Sequence, residues 1–309
     1  LTPSPTHTFE YTFTPPNSYC LSITNPTTTN LPGFHITNTT PEPSEGVCEG
    51  HTPPPSGGGD EGDPITDGDF MQDVTTANCR TERTMAVDAR DNHTYWAEKL
   101  ADGKCWMLTN LGYTGDTSNG GSDSYGDTRT IVHETTSTNS YTQARYQTPV
   151  YSGTLVTIYP TEPSTDTTGG TAAGRQRGYF YNWCAAMGVQ TGTSACLQSV
   201  TQPYDANVSI CPSGWRLPTG GPAPSELATL NGSVNGGLTN TDAGLRTTWL
   251  AQRAGFWNSM HFSSGTRGDY WSSTQYDASS AYTLHVSSST VGESAPTKQL
   301  GFSVRCLAV

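Results

Sequence analysis

Cysteine is the most chemically capable residue type in this 309-residue chain. Eight occur: Cys20, Cys48, Cys79, Cys105, Cys184, Cys196, Cys211 and Cys306. None stands in a Cys-x-x-Cys pair, the spacing used by thiolate zinc sites and dithiol redox centres. An even number without that motif predicts disulfides, which persist in exported proteins rather than in a reducing cytosol. Eight cysteines allow about a hundred connectivities, so the sequence alone fixes none. Spacing suggests Cys20 with Cys48, Cys79 with Cys105, Cys184 with Cys196, and Cys211 with Cys306.

The other reactive types are scattered. The seven histidines (His7, His35, His51, His93, His133, His261 and His285) include no i, i+4 pair. His133-Glu134 lacks the second histidine of a zincin, and no Gly-x-Ser-x-Gly is present. No catalytic residue is therefore expected, and the chain does not read as an enzyme. Two acidic stretches could attract a cation. Asp60, Glu61, Asp63, Asp67 and Asp69 lack the EF-hand spacing and its terminal glutamate. Asp116, Asp123 and Asp127 could hold calcium, although an ordinary polar loop is the plainer reading. No cofactor is expected, with calcium the one candidate.

Residues 255–300 carry the strongest binding signal. Phe256 to Ser264 mixes large aromatics with small polar residues, and Tyr270, Trp271, Tyr276 and Tyr282 continue the mixture. Antibody paratopes have this composition: rigid aromatics supply contact area, and Ser, Gly and Asn adapt their hydrogen bonds. Trp257, Asn258, His261, Phe262, Tyr270, Tyr276 and Tyr282 are the expected ligand-contacting residues. Trp271 reads as core.

Composition narrows the partner. The formal charge is -12, and Lys99, Lys104 and Lys298 are the only lysines. Nucleic-acid affinity depends on cations facing phosphate, so a nucleic-acid partner is not expected. No apolar run is long enough to span a membrane as a helix. The chain starts at Leu1 without a signal-peptide pattern; a targeting or anchoring segment is expected to have preceded it, and membrane attachment would run through that anchor.

These residues need a scaffold. Leu, Ile, Val and Phe supply only 45 of the 309 residues, which is thin for a core, but thirty aromatics and the cysteines argue for a folded chain. Residues 1–50 read as a small β-rich segment, with strands at Phe9–Phe13 and Tyr19–Ile23. Residues 51–69 (Pro53-Pro54-Pro55, Gly57-Gly58-Gly59 and the first acidic stretch) read as a linker. Residues 70–309 form the large domain. In it Thr84–Val87, Thr94–Lys99 and Cys105–Leu111 read as strands joined by Asp91-Asn92 and Asp102-Gly103 turns. Ser225 caps a helix through Leu230, a second helix covers Leu245–Ala254, and Tyr270–Ser272, Ala281–Val286 and Gly301–Cys306 read as strands. Strands, a helical middle and strands again predict an α+β class.

Several phrases of the large domain are specific in combination. They are Val87-Asp88-Ala89-Arg90-Asp91, Cys105-Trp106-Met107-Leu108-Thr109-Asn110-Leu111, Tyr179-Phe180-Tyr181-Asn182-Trp183, Ile210-Cys211-Pro212-Ser213-Gly214-Trp215-Arg216-Leu217-Pro218, Tyr270-Trp271-Ser272-Ser273-Thr274 and Gly301-Phe302-Ser303-Val304-Arg305-Cys306. In order over residues 84–306, this series resembles the Fibrobacter succinogenes major paralogous domain, a family of exported bacterial domains. The family looks like a branch of the C-type-lectin-like superfamily, beside formylglycine-generating-enzyme-like domains and the variable proteins of diversity-generating retroelements. The resemblance implies a C-type-lectin-like domain with its ends close together, consistent with a Cys211–Cys306 bridge, and a ligand face in the 255–300 region. Its relatives' chemistry does not carry over. Cys306 lacks the nearby second cysteine of the formylglycine-generating enzymes. Gln202-Pro203-Tyr204-Asp205 and Trp257-Asn258-Ser259 both miss the lectins' calcium and sugar motifs. Residues 19–21 with 46–51 resemble the end of a pilin-like head.

The expectation is an exported cell-surface adhesion protein that recognises an extracellular protein or glycan, its ligand face open to diversification. The alternative is a structural or minor-pilin subunit of a surface filament.

Overall fold

The computed structural model describes residues 64–115, 131–133, 144–148, 150–151, 154–155, 178–188 and 209–309. The chain divides into two units, Leu1–Gly58 and Gly59–Val309, and every described residue lies in the second. Cys20, Cys48, Cys196 and the Asp116, Asp123 and Asp127 candidates lie outside the described residues.

In chain order the strands and helices are β1 (Thr84–Asp88), β2 (His93–Lys99), β3 (Cys105–Met107), β4 (Val132–His133), β5 (Arg145–Gln147), β6 (Val150–Tyr151), β7 (Thr154–Leu155), β8 (Phe180–Tyr181), α1 (Trp183–Ala186), β9 (Trp215–Arg216), α2 (Glu226–Asn235), α3 (Ala243–Thr247), β10 (Phe256–Trp257), β11 (His261–Phe262), β12 (Arg267–Gln275), β13 (Ala281–Ser287), β14 (Val291–Ser294) and β15 (Leu307–Ala308). Two sheets frame the domain. One is antiparallel in the order β1-β2-β3-β15-β9, and the other is the antiparallel meander β12-β13-β14.

The class is β-rich, which corrects the α+β expectation: the described helices are short, four, ten and five residues long, against antiparallel sheets. The helical middle shrinks for a physical reason. α2 forms as the cap predicts, with the Ser225 side chain accepting from Ala228 N, and it ends at Gly236, whose φ of 64° suits a residue without a Cβ. The expected Leu245–Ala254 helix stops at Thr247. Beyond it, the carbonyls of Trp249 and Leu250 accept hydrogen bonds from the guanidinium of Arg305, and Leu250 turns to φ 53°. Those acceptors face a cation instead of helix N–H groups.

Gly301–Cys306 is likewise no regular strand. Gly301 bridges Trp257, Phe302 bridges Tyr181 and Ser303 bridges Tyr270, so one segment stitches three elements together. β15 then enters the first sheet between β3 and β9.

Aromatic rings fill the volume that aliphatic residues leave. Trp106, Trp183, Trp215, Trp249 and Trp271 are all fully buried. Four of them satisfy their indole N–H: Trp183 donates to Ser272 O, Trp215 to Met71 O, Trp271 to Tyr181 O and Trp106 to Asp102. Buried polar groups need such partners, and aromatic bodies with satisfied polar tips meet both demands. Arg90, also buried, pairs with Asp88 at 2.7 Å, donates to Ile210 O and lies 3.8 Å from the Tyr113 ring centroid. It ties the first sheet's opening strand to the segment that carries Cys211.

Cys79–Cys105 and Cys211–Cys306 are disulfides, as their spacing suggests. Cys184 is also disulfide-bonded. Ahead of β1, Ile65 is buried and its N–H donates to Asn78 O at 3.1 Å.

Candidate functional site

The β10–β11 hairpin carries four of the seven expected contact residues. Its geometry starts at Gly255, with φ of 87°, where a Cβ would fall 2.2 Å from Phe262 O. No side chain fits there, so the chain folds back tightly. Phe256 pairs with Phe262 and Trp257 with His261. The turn closes with Asn258 N donating to Met260 O at 2.9 Å, and Ser259 and Ser263 both sit at positive φ, 61° and 58°. Non-glycine residues hold that conformation only when their surroundings fix it.

The surroundings do fix it. Trp257 and Gly301 exchange backbone hydrogen bonds of 2.8 and 2.9 Å, and Gly255 N donates to Arg267 O at 2.7 Å. His261 Nε2 lies 2.8 Å from Ala254 O, and its ring packs beside Phe180 at 5.2 Å. Phe256 stacks on Phe262 at 5.5 Å and 20°, and the Arg267 guanidinium lies 4.8 Å from the Phe256 ring centroid. Arg267 is itself held by Asp269, at 2.6 and 2.9 Å.

On this base Phe262 is 39% exposed and Met260 58%, with Asn258 also exposed. Trp257 and His261 are half-buried at the hairpin's root. Met260 and Phe256 belong to the patch although neither was among the expected contacts. Their signal was present in the Phe256–Ser264 phrase itself.

Tyr276 and Tyr282 lie elsewhere. They meet edge to face at 5.4 Å beside the β12–β13 turn, with Tyr276 59% exposed. Tyr282 packs against Gly221, where a Cβ would lie 3.1 Å from its ring. The β12–β13 turn is held by Asp277, whose carboxylate accepts from the N–H groups of Ser279 and Ser280. Lys298 fastens it from below: its buried ammonium donates to Gln275 Oε1 at 2.8 Å and Ala278 O at 2.9 Å and lies 4.6 Å from the Trp183 ring centroid. Burial away from a bonded carboxylate pulls the Lys298 pKa down to about 8. Nothing in the sequence marked Lys298 for this role.

Tyr270 is a correction. It is 1% exposed, so it is a core residue and not a ligand contact. Its hydroxyl is used internally, accepting from Gln252 N and donating to Gln252 O, and its ring packs against Trp249 at 4.7 Å. β12 is covered on both faces, with Gly268 to Ser273 all buried, so Tyr270 is enclosed on one face as Trp271 is on the other. The expected face therefore resolves into two patches, one at each end of β12.

Among the described residues no group of three His, Cys, Asp or Glu side chains could hold a metal ion, and no helix is long and apolar enough to cross a membrane. Arg267 pairs with the buried Asp269, and His285 Nδ1 lies 3.1 Å from the same carboxylate, so the three side chains tie β12 to β13. The chain matches no family model, no curated protein and no solved structure.

Proposed function

We propose that this chain is an exported, cell-surface recognition protein that binds an extracellular protein or glycan through the β10–β11 hairpin. One observation carries the reading: Phe262, Met260 and Asn258 project from a hairpin whose backbone is pinned on both sides, to Gly301 and to Arg267. Interfaces favour this combination, because a rigid aromatic anchor loses little entropy on binding. The disulfides suit an oxidising compartment. The resemblance to the Fibrobacter succinogenes major paralogous domain, carried by phrases that form the core here, supports an exported bacterial role.

The test is a double variant, Met260→Ala with Phe262→Ala, compared with the parent for binding to a panel of bacterial and host cells and to immobilised glycans. Both side chains are surface-exposed, so the melting temperature should stay within a few degrees while binding falls at least tenfold. Full binding by the double variant would overturn the assignment.

A further inference from the structure

Elsewhere in the domain Arg83, Arg90, Lys104, Arg216, Arg253 and Arg267 each pair with a carboxylate. Lys298 and Arg305 donate instead to uncharged oxygens. Lys99 does neither. It closes β2, is half-buried, and its ammonium meets no acceptor among the described residues. In a chain with 27 acidic residues and 15 lysines and arginines, a cation without a partner stands out. Lys99 lines a cleft of about 320 Å³ together with Asn78, Arg80, Thr81 and Glu82.

A disulfide builds this cleft. Cys79, in its lining, is bonded to Cys105, and Cys105 pairs across the ladder with Lys99. Lys99 N donates to Arg80 O at 2.6 Å. Two like-charged residues are thus held as neighbours by a covalent staple. Arg80 is only loosely engaged. It meets Glu82 through Nη2 at 3.0 Å, and the two side chains are 40% and 77% exposed. A pair so exposed is worth little, so a ligand carboxylate can take the guanidinium's remaining donors. The N–H groups of Thr81 and Glu82 also donate to no acceptor among the described residues. Two cations and one carboxylate leave the cleft with a single positive charge. That matches a monoanion, whereas a dianionic phosphate would set its second charge against Glu82. The volume is at the small end of ligand pockets, enough for one sugar or organic acid.

We infer that the Arg80–Lys99 cleft binds the carboxylate of a small acid, either a free organic acid or a uronic acid sugar. Arg80 supplies the planar donors, and Lys99 supplies the second charge. The cleft shares no residue with the hairpin, and the inference stands whether or not the hairpin recognises a target.

The full chain is prepared with isotopically labelled lysine. Its three lysines give three backbone amide resonances, and that of Lys99 is assigned by its loss in Lys99→Gln. Acetate, glucuronate, glucose and inorganic phosphate are titrated separately at low ionic strength, where exposed charges are least screened. Acetate or glucuronate should move the Lys99 resonance saturably, and the tighter of the two distinguishes a free acid from an acidic sugar. Arg80→Gln should weaken that binding about tenfold, the loss of a charge-assisted hydrogen bond. Its melting temperature should stay within a few degrees, because its pair with Glu82 is exposed. Glu82→Gln removes the competing carboxylate and should tighten binding. Silence to both carboxylates would overturn the inference. So would an equal response to glucose, which carries no charge, or to phosphate, which would make this a general anion site. Unchanged affinity in Arg80→Gln, or weaker affinity in Glu82→Gln, would place the carboxylate elsewhere and overturn it as well.

Discussion

Replacing Lys298 by methionine should flatten the alkaline limb of the stability curve. The ammonium is buried, donates to two uncharged oxygens and faces the Trp183 ring. Desolvation lowers its folded pKa to about 8, from an ordinary value of 10.5. Below pH 8 folded and unfolded chains both carry the proton, and stability is flat with respect to this group. Between pH 8 and 10.5 the unfolded chain holds a proton that the folded chain has released, so stability rises with pH. From pH 8 to 9.5 the gain is roughly 2 kcal/mol, at about 1.4 kcal/mol for each pH unit. The interval stops short of tyrosine ionisation, where the raised pKa values of buried Tyr95 and Tyr270 would pull the other way. The assay is urea unfolding of parent and Lys298→Met at half-unit steps from pH 7 to 9.5, with disulfides intact. Methionine keeps the stem's packing and removes the proton, so the parent's curve should climb away from the variant's. At pH 7 the variant also loses two hydrogen bonds, at a cost of about 1–3 kcal/mol that partly offsets its relief from a buried charge. Parallel curves over the whole interval would refute the argument and mean that Lys298 titrates as a solvated amine.

Glu226 provides the acidic counterpart. It accepts from Arg216 at 2.6 and 2.7 Å, from Lys104 at 2.6 Å and from Thr219 N at 2.9 Å; it is held at a pKa of about 2 as these bonds outweigh its desolvation. Its stabilisation is complete above pH 4.5 and is lost as pH falls toward 2, so Glu226→Gln should cost roughly 2–3 kcal/mol at pH 7 and converge with the parent near pH 2 in acid-dependent urea titrations. Removing the Cys211–Cys306 bridge with paired serines should cost about 4.7 kcal/mol by the chain-entropy argument, against about 3.5 kcal/mol for Cys79–Cys105, because the loop it closes is 95 residues against 26; guanidinium unfolding would rank them, and the reverse order would count against that account. Arg305→Met should destabilise by about 1–3 kcal/mol in the same assay, since the carbonyls of Trp249 and Leu250 and the side chain of Asn110 lose their buried donor while the buried charge is relieved.

The parts of this fold that follow from local chemistry were legible in the sequence. β1 and β2 come from their alternation, the turn between them from Asp91-Asn92, and the start of α2 from Ser225. The two described disulfides join cysteines whose spacing suggested those pairs, among many pairings the sequence left open. The parts set by distant partners were not. Leu245, Trp249 and Leu250 have helical spacing and are all buried, yet Arg305, more than fifty residues on, takes the carbonyls a longer helix would need. The same limit divides the site. Composition marked 255–300 as a binding region, but it could not tell Tyr270, in a strand covered on both faces, from Tyr276, which a turn exposes. Gln147 is more than a hundred residues from the hairpin, yet its Oε1 and Trp257 Cβ both lie against Gly301.

The separation of the two patches constrains what any ligand can do. Arg267, the support of the hairpin, opens β12, and Gln275, next to Tyr276, closes it. Eight residue steps at about 3.3 Å put the two ends roughly 25 Å apart. A monosaccharide reaches one end only; a ligand that engages both must be a macromolecule or a long oligosaccharide. Changes at Phe262 and at Tyr276 lie far beyond the range at which substitutions usually couple, so their effects on binding free energy should add. A target that engages both patches should therefore be weakened by Phe262→Ala and by Tyr276→Ala, with the double variant losing the product of the two factors. A target whose affinity ignored Tyr276→Ala would engage the hairpin patch alone.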